Sequence, residues 1–205
     1  MPQIGPQRAV EQLKNPGESF RLRPGHTLDL DTVVITSDRL TLRPVSRDYA
    51  ERIFAEYTPE VTRYLMTEAS GRIEDTYAFI EKAAAGRAKR TDFAAVILPR
   101  ETGEFLGCCG IHSQARSVEP HLGIWIKKSA HGHGYGREAV SALCDWAWRT
   151  LDYPALRYDV DRANTASRKV VESLGGIVVA EEVAPRTNGG TLDSIIYRIP
   201  RPIGL

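Results

Sequence analysis

Glycine alternates with larger residues in His131-Gly132-His133-Gly134-Tyr135-Gly136, a loop between a run that reads as a strand and one that reads as a helix. Bare glycine backbone lets successive N–H groups converge on one ligand. The helix that follows adds its positive end. Together they suit an anion, and a pyrophosphate in particular. The loop lacks the Gly-Lys-Ser/Thr of a Walker motif, and its G-x-G-x-G spacing is not the dinucleotide fingerprint. The plain alternative is a strand-to-helix turn that holds glycine for steric reasons. His131 and His133 raise the question of a metal. Zinc needs further ligands at set spacings, and neither a Cys pair nor a His-Glu-x-x-His supplies them, so no metal is expected.

The elements that position this loop read from periodicity. Leu40 to Arg43 alternates apolar and polar residues as a half-buried strand does, and Pro44 ends it. Ser46 and Asp48 offer a cap and an early-turn acid to a helix carrying Ile53, Phe54 and Tyr57. Ile73, Tyr77, Ile80 and Ala84 recur at helical spacing and predict a helix over 73–89. Phe93 to Leu98, a turn at 99–103 and Phe105 to Ile111 read as a hairpin, and Leu122 to Ile126 as a further strand. Val140, Leu143, Cys144, Ala147 and Leu151 mark an amphipathic helix after the loop, stopped near Asp152 and Pro154.

Leu156, Tyr158 and Val160 alternate with charged residues as a strand, and Asn164 caps a short helix that ends at Gly175-Gly176. Strands at 177–179 and 194–199 follow. The sum is an α/β (α+β) domain in which an antiparallel first half meets a strand-loop-helix-strand crossover. The Pro- and Gly-punctuated residues 1–32 read as an N-terminal extension, with a hint of helix at Ala9, Val10 and Leu13, and residues 33–205 as the domain.

Composition narrows the function classes. In 205 residues, 42% are hydrophobic and 26% charged, ordinary for a soluble globular chain of one domain. A net charge of +1 gives no field aimed at nucleic acid or a membrane surface. No apolar run nears the ~20 residues of a membrane-spanning helix, and the N-terminus lacks the apolar core of a secretory signal. A cytoplasmic protein is expected. Cys108, Cys109 and Cys144 are odd in number, and adjacent residues on a strand face opposite ways, so they read as small buried residues.

The order strand, glycine loop, helix, strand, then an Asn-x-x-Ser helix resembles the GCN5-related N-acetyltransferase (GNAT) family, in particular its RimJ/RimL type. Leu122-Gly123-Ile124-Trp125-Ile126 is similar to that type's strand, and Gly132-His133-Gly134-Tyr135-Gly136-Arg137-Glu138-Ala139 to its loop. Asn164-Thr165-Ala166-Ser167 and Glu172-Ser173-Leu174-Gly175 are similar to its last helix. The likeness covers about residues 33 to 199. The residue that leads the loop, Gln or Arg in the family, is His131 here; a cradle of backbone N–H groups does not depend on it.

The resemblance implies a mixed, mostly antiparallel central sheet flanked by helices, and acetyl transfer from acetyl-CoA to an amine in a ternary complex, with no metal. It implies that His131, Gly132, His133, Gly134, Tyr135, Gly136 and Arg137 cradle the diphosphate. The strand edge at Trp125 and Ile126 would pair its backbone with the pantetheine arm, where a backbone N–H also stabilises the oxyanion. Asn164 would contact the same arm as well as capping its helix. Ser167 would protonate the departing thiolate, because the slot that holds a Tyr in the wider family is Val171. Its other reading is an exposed first-turn serine.

An alkyl ammonium with a reference pKa of about 10.4 needs a base at neutral pH. His121 stands where the resemblance more often shows Glu, and an imidazole suits the task; the alternative is a satisfied histidine at a strand end. Asp92, His112 and Glu119 are further candidates, as is a water chain. Arg87, Lys89 and Arg90 read as a solvated helix end, or as a guide for the coenzyme's 3′-phosphate or for an acidic protein substrate. The acceptor that the resemblance implies is a protein N-terminus or a small amine, with a homodimer as a further expectation and neither membrane nor nucleic acid as partner. Two other classes stay open: a catalytically weak acyl-CoA-binding sensor or partner module, and a nucleotide-phosphate enzyme.

Overall fold

A sheet whose middle strands are apolar on both sides must be covered on both sides, and that requirement organises the chain. The computed structural model describes residues 19–113, 118–187 and 189–204. Its strands are β1 (Ile35–Thr36), β2 (Leu40–Pro44), β3 (Asp92–Pro99), β4 (Gly107–His112), β5 (His121–Ile126), β6 (Ala155–Asp161), β7 (Ile177–Pro185) and β8 (Thr191–Pro200). They form an eight-stranded sheet in the order β1-β2-β3-β4-β5-β6-β8-β7. Every neighbouring pair is antiparallel but β5 and β6, which are parallel. A parallel pair needs a crossover, and here it is the glycine loop with the helix behind it.

The helices are α1 (Ala50–Glu56), α2 (Pro59–Thr62), α3 (Ile73–Lys89), α4 (Tyr135–Thr150) and α5 (Thr165–Ser173). One core gathers Phe93, Ala95, Ile97, Ile111, Leu122 and Tyr158 against Val140, Leu143 and Ala147 of α4. The other gathers Ala94, Val96, Leu98 and Cys108 against Ile53 of α1 and Ile80 of α3. Alternation along each strand therefore assigns every residue to the α4 face or to the α1/α3 face. All three cysteines are free and buried.

The differences from the expected elements are local. A single 3-10 turn, Arg47–Tyr49, precedes α1, and Ser46 makes no side-chain cap. β4 starts at Gly107 and not at Phe105, because both Leu106, through its N–H to the Ile97 carbonyl, and Gly107, by register, face Ile97. A β-carbon at Gly107 would lie 2.2 Å from the Trp125 carbonyl, so only glycine lets β5 approach there. The last two strands are longer than their apolar runs. Phe20 and Leu30 are buried against the α4 face, and Leu22 forms a bridge with Leu151. We keep a boundary near residue 32 as a proposal about chain organisation. The helix expected around Ala9, Val10 and Leu13 lies outside the described residues. Among the described residues no helix is long and apolar enough to cross a membrane.

Candidate functional site

The glycine loop leaves β5 through Lys127 and a 3-10 turn at Lys128–Ala130, then enters α4 at Tyr135. Gly132 (φ 81°) and Gly134 (φ 78°, the N-cap) both hold the left-handed backbone that favours glycine. A β-carbon at Gly132 would meet nothing within 4 Å. The first-turn N–H groups of α4 have no partner within the helix, as at any N-terminus. The two histidines fold back on the backbone: His131 donates from Nε2 to the Ile126 carbonyl at 2.8 Å, and His133 from Nδ1 to the His131 carbonyl at 2.8 Å. Among the described residues no group of three His, Cys, Asp or Glu side chains is placed to hold a metal ion.

Arg39 and Glu138 brace this loop. The Arg39 guanidinium lies 4.8 Å over the Tyr135 ring, donates to the His133 carbonyl at 3.2 and 3.3 Å, and pairs with Glu138 at 2.6 Å. Glu138 also accepts from Ser37 Oγ at 2.7 Å and from the Arg39 N–H at 2.8 Å. Burial works to raise the Glu138 carboxyl, but these bonds and the Arg39 charge hold it below its ordinary range. Arg39 did not stand out in the sequence, and Glu138 entered only as part of the loop motif, with no role of its own. An acid in a first helical turn is a signal for the dipole alone, and nothing local says that the β1–β2 turn lies across it.

Next to the loop the sheet forks. β4 and β5 stay paired from Gly107/Ile126 to His112/His121. β5 and β6 pair only at His121/Arg157 and Leu122/Tyr158. Past Leu122 each strand follows its other neighbour: β6 stays with β8 out to Asp161/Ser194. Trp125 anchors β5 on the α1/α3 face through edge contacts with Tyr57 (5.2 Å) and Phe105 (5.7 Å). The backbone edge from Gly123 to Ile126 is thus left without a strand on the β6 side; of the predicted residues, Trp125 turns its carbonyl toward Gly107 of β4, and the Ile126 carbonyl accepts from His131.

Asn164 and Ser167 stand across the fork. Asn164 caps α5, its Oδ1 accepting from the Ser167 N–H at 3.1 Å, which leaves the amide NH2 for another partner. Ser167 Oγ lies 2.8 Å from the Tyr158 hydroxyl. Tyr158 is 2% exposed, and burial pushes its phenol up to about 12 against the opposing bond from Ser167. Val171 is fully buried in the α4-face core, so its own side chain does not reach the fork. The role of Tyr158 was not legible, because alternation along β6 marks it as core and nothing more.

On the α1/α3 face a row of polar residues runs across four strands in register: Asp92, His112, His121 and Arg157. Asp92 Oδ1 accepts from His112 Nδ1 at 2.8 Å, and its Oδ2 from Thr91 Oγ1 at 2.7 Å. Burial would raise the Asp92 carboxyl, yet the His112 and Thr91 bonds and the nearby Lys82 hold it below its ordinary range. Arg157 forks onto Asp159 at 2.7 and 2.8 Å. His121 Nε2 stands 3.6 Å from Asp159 Oδ2 and has no hydrogen-bond partner among the described residues. Burial drives the His121 imidazole down to about 4; Asp159 opposes this, and His112 and Arg157 add to it. A base that weak is mismatched to an ammonium. Glu119 lies apart, pairing with Arg198 at 2.6 Å. Arg87 is likewise engaged, with Asp31 at 2.7 Å.

The fork, Asn164, Ser167 and the polar row open on one cleft of about 1370 Å³, while Arg39, Gly134, Arg137 and Glu138 line a separate pocket. The cleft lining includes Ser167 and Asn164 on one side of the fork and His112, His121, Asp75 and Lys82 on the other. A strand gap beside an anion cradle, with a serine and an imidazole facing through it, can hold a long ligand with an anionic end and expose its far end to a second molecule.

Comparison with known proteins agrees with this geometry. Residues 39–177 match the family model described as an acetyltransferase (GNAT) domain. The chain is 27% identical to the uncharacterised N-acetyltransferase YoaA of Bacillus subtilis over 175 residues, 82% of this chain and 97% of that one. It superimposes on an acetyltransferase from Agrobacterium tumefaciens with a TM-score of 0.66 and 27% identity, covering 84% of this chain and 97% of the other. It also shares the fold of RimL, a ribosomal alpha-N-protein acetyltransferase in complex with coenzyme A. The TM-score there is 0.71 at 17% identity, over 82% of this chain and 98% of that one.

Proposed function

The chain belongs to the GNAT acetyltransferase family and is an N-acetyltransferase, and from that premise we propose that it moves an acetyl group from acetyl-CoA directly to a primary amine. The observation that carries the reading is the fork: β5 loses β6 past Leu122, just before the crossover that opens with the glycine loop. In this reading the backbone from His131 to Arg137 holds the diphosphate at the α4 N-terminus. The open β6-side edge of the Gly123–Ile126 stretch, which carries Trp125 and Ile126, pairs with the pantetheine arm, and Asn164 adds its amide NH2. An N–H of that edge takes the oxyanion as the thioester carbonyl turns tetrahedral.

The chemistry is one displacement. The amine nitrogen loses a proton and bonds to the acyl carbon, the carbon–sulfur bond breaks, and Ser167 protonates the departing sulfur, recovering a proton from the cleft. Tyr158 gives this role its geometry. Its buried phenol stays protonated and can donate into Ser167 Oγ, the arrangement that turns the serine hydrogen toward the fork. The acceptor we favour is a protein N-terminal amine, in line with the name of RimL, with a small amine second. A homodimer and a cytoplasmic setting belong to the same proposal.

Calorimetry with CoA and acetyl-CoA, followed by thiol release across peptides with N-terminal Ser or Ala, spermidine and free amino acids, tests the reading. Binding with release on at least one amine is expected. Binding without release on any amine would favour the acyl-CoA sensor. No heat with millimolar CoA, or displacement of CoA by ATP or NAD, would overturn the coenzyme assignment.

A further inference from the structure

We propose that the Asp92–His112 pair, and not His121, takes the proton from the acceptor amine; this rests on the acetyl transfer proposed above. Side-chain placement carries the argument. Gly110 on β4 and Gly123 on β5 are register partners, so they make a bare patch on the α1/α3 face of the sheet. The His112 ring lies over that patch. A β-carbon built at Gly110 would sit 2.9 Å from His112 Nε2, and one built at Gly123 would sit 3.8 Å from the same atom. Gly123 is also the first β5 residue past the last β5–β6 pair. The ring therefore points Nδ1 back to Asp92 and carries Nε2 to the place where the fork opens.

The carboxylate behind it is fixed. Asp92 is held by Thr91, the residue just before its strand, and α3 packs on it at Gly86, where a β-carbon would lie 2.6 Å from Asp92 Cβ. With Nδ1–H donated to Asp92, the neutral tautomer leaves the lone pair on Nε2, the atom facing the fork. The Asp92 charge then steadies the imidazolium formed when that lone pair accepts a proton. His121, across the strand pair, lacks this support: its Nε2 is sealed and 3.6 Å from a carboxylate already forked onto Arg157. The groups that bear on His112 are Asp92 from β3, His121 from β5, Arg157 and Asp159 from β6, and Lys82 and Asp75 of α3 in the same cleft.

Acid and base then stand on opposite faces of the sheet. Ser167 bonds a tyrosine of the α4 face, His112 lies on the α1/α3 face, and they address one acyl group only through the fork. That arrangement suits direct transfer, since the coenzyme and the amine enter from opposite sides.

The test compares wild type with His112→Ala, His112→Gln, Asp92→Asn and His121→Gln, using a tetrapeptide with N-terminal serine and spermidine as acceptors. Acetyl-CoA affinity is followed by calorimetry and folding by thermal melting. His112→Ala and His112→Gln are expected to lower kcat/KM about 100-fold at pH 7. The deficit should narrow toward pH 9, where a peptide α-amine with a reference pKa near 8 is already free. Added imidazole should restore turnover to His112→Ala, which a merely structural role would not allow. Asp92→Asn is expected to lose about 10-fold and His121→Gln less than 3-fold. Wild-type activity kept by His112→Gln at pH 7, or a loss on His112→Ala that imidazole does not rescue, overturns the inference and leaves the acetyltransferase reading intact. Failure of wild type to acetylate either acceptor while binding acetyl-CoA overturns the inference for both amine classes, and only the full panel then bears on the function.

Discussion

β4 and β5 run paired along their full length, whereas β5 and β6 meet at one end and separate. The two seams differ in what surrounds them. Between β4 and β5 the residues are small where the backbones come close, with Gly107 under the Trp125 carbonyl and Gly110 opposite Gly123. Between β5 and β6 the pairing stops at Leu122/Tyr158, because Trp125 ties one strand to Tyr57 and Phe105 while Ser194 and Ile195 keep the other with β8. A closed seam contributes stability. An open one leaves backbone N–H and C=O groups that only a ligand or water can satisfy.

Substitutions at the two seams should therefore fail in different ways. The largest effect on turnover belongs to the open seam: Ser167→Ala is expected to cut kcat at least 100-fold, with acetyl-CoA affinity in calorimetry nearly unchanged. Equal turnover would remove Ser167 from the chemistry and with it the special standing of the fork.

Acid should strain the row where the seams join. His121 is held neutral, its value falling from 6.5 to about 4, so protonation opposes the folded state. The unfolded chain binds this proton first; stability from this group is fully present above pH 6.5 and is lost as pH falls toward 4. Up to about 3 kcal/mol is at stake, the side chain being 20% exposed although Nε2 itself is sealed. Urea unfolding of wild type between pH 7 and 4 should show this slope, and His121→Gln should flatten it. An identical slope in both proteins would mean that the buried imidazole is not the sensitive group.

The closed seam should answer in stability. Gly110→Ala places a β-carbon 2.8 Å from the Phe93 carbonyl, a backbone atom that cannot swing away. A loss of about 2 kcal/mol is expected, read from denaturant midpoints. The smallest effect is at the cap: Asn164→Ala should cost about 1 kcal/mol, or a melting shift of roughly 2–4 °C for a chain of this size. It should also weaken acetyl-CoA binding, which a cap alone would not do.

Much of this architecture is legible in the residues. Periodicity marks α3 over 73–89, the apolar runs of β3 and β5, and the stripe of α4, because each repeats a spacing that burial imposes. The glycine loop, the Asn-x-x-Ser helix and their order are enough to identify the family. The site was less open to reading. Trp125 looks like any core strand residue, and the fork beside it arises from partners on three other elements. His112 and His121 are alike in the sequence, each a histidine at the end of a strand.

What the sequence determined by itself is whatever short-range physics governs: element type, caps, the bare backbone of 132–136, the absence of a zinc spacing and the family. Tertiary structure alone decided which strand edge stays open, that Arg39 and Glu138 brace the loop, that Tyr158 stands behind Ser167, and which histidine meets a carboxylate. The physical reason is that burial and charge act through space. His112 finds Asp92 across one seam and bare glycine beside it, while Nε2 of His121, its register partner, is buried with no hydrogen-bond partner among the described residues.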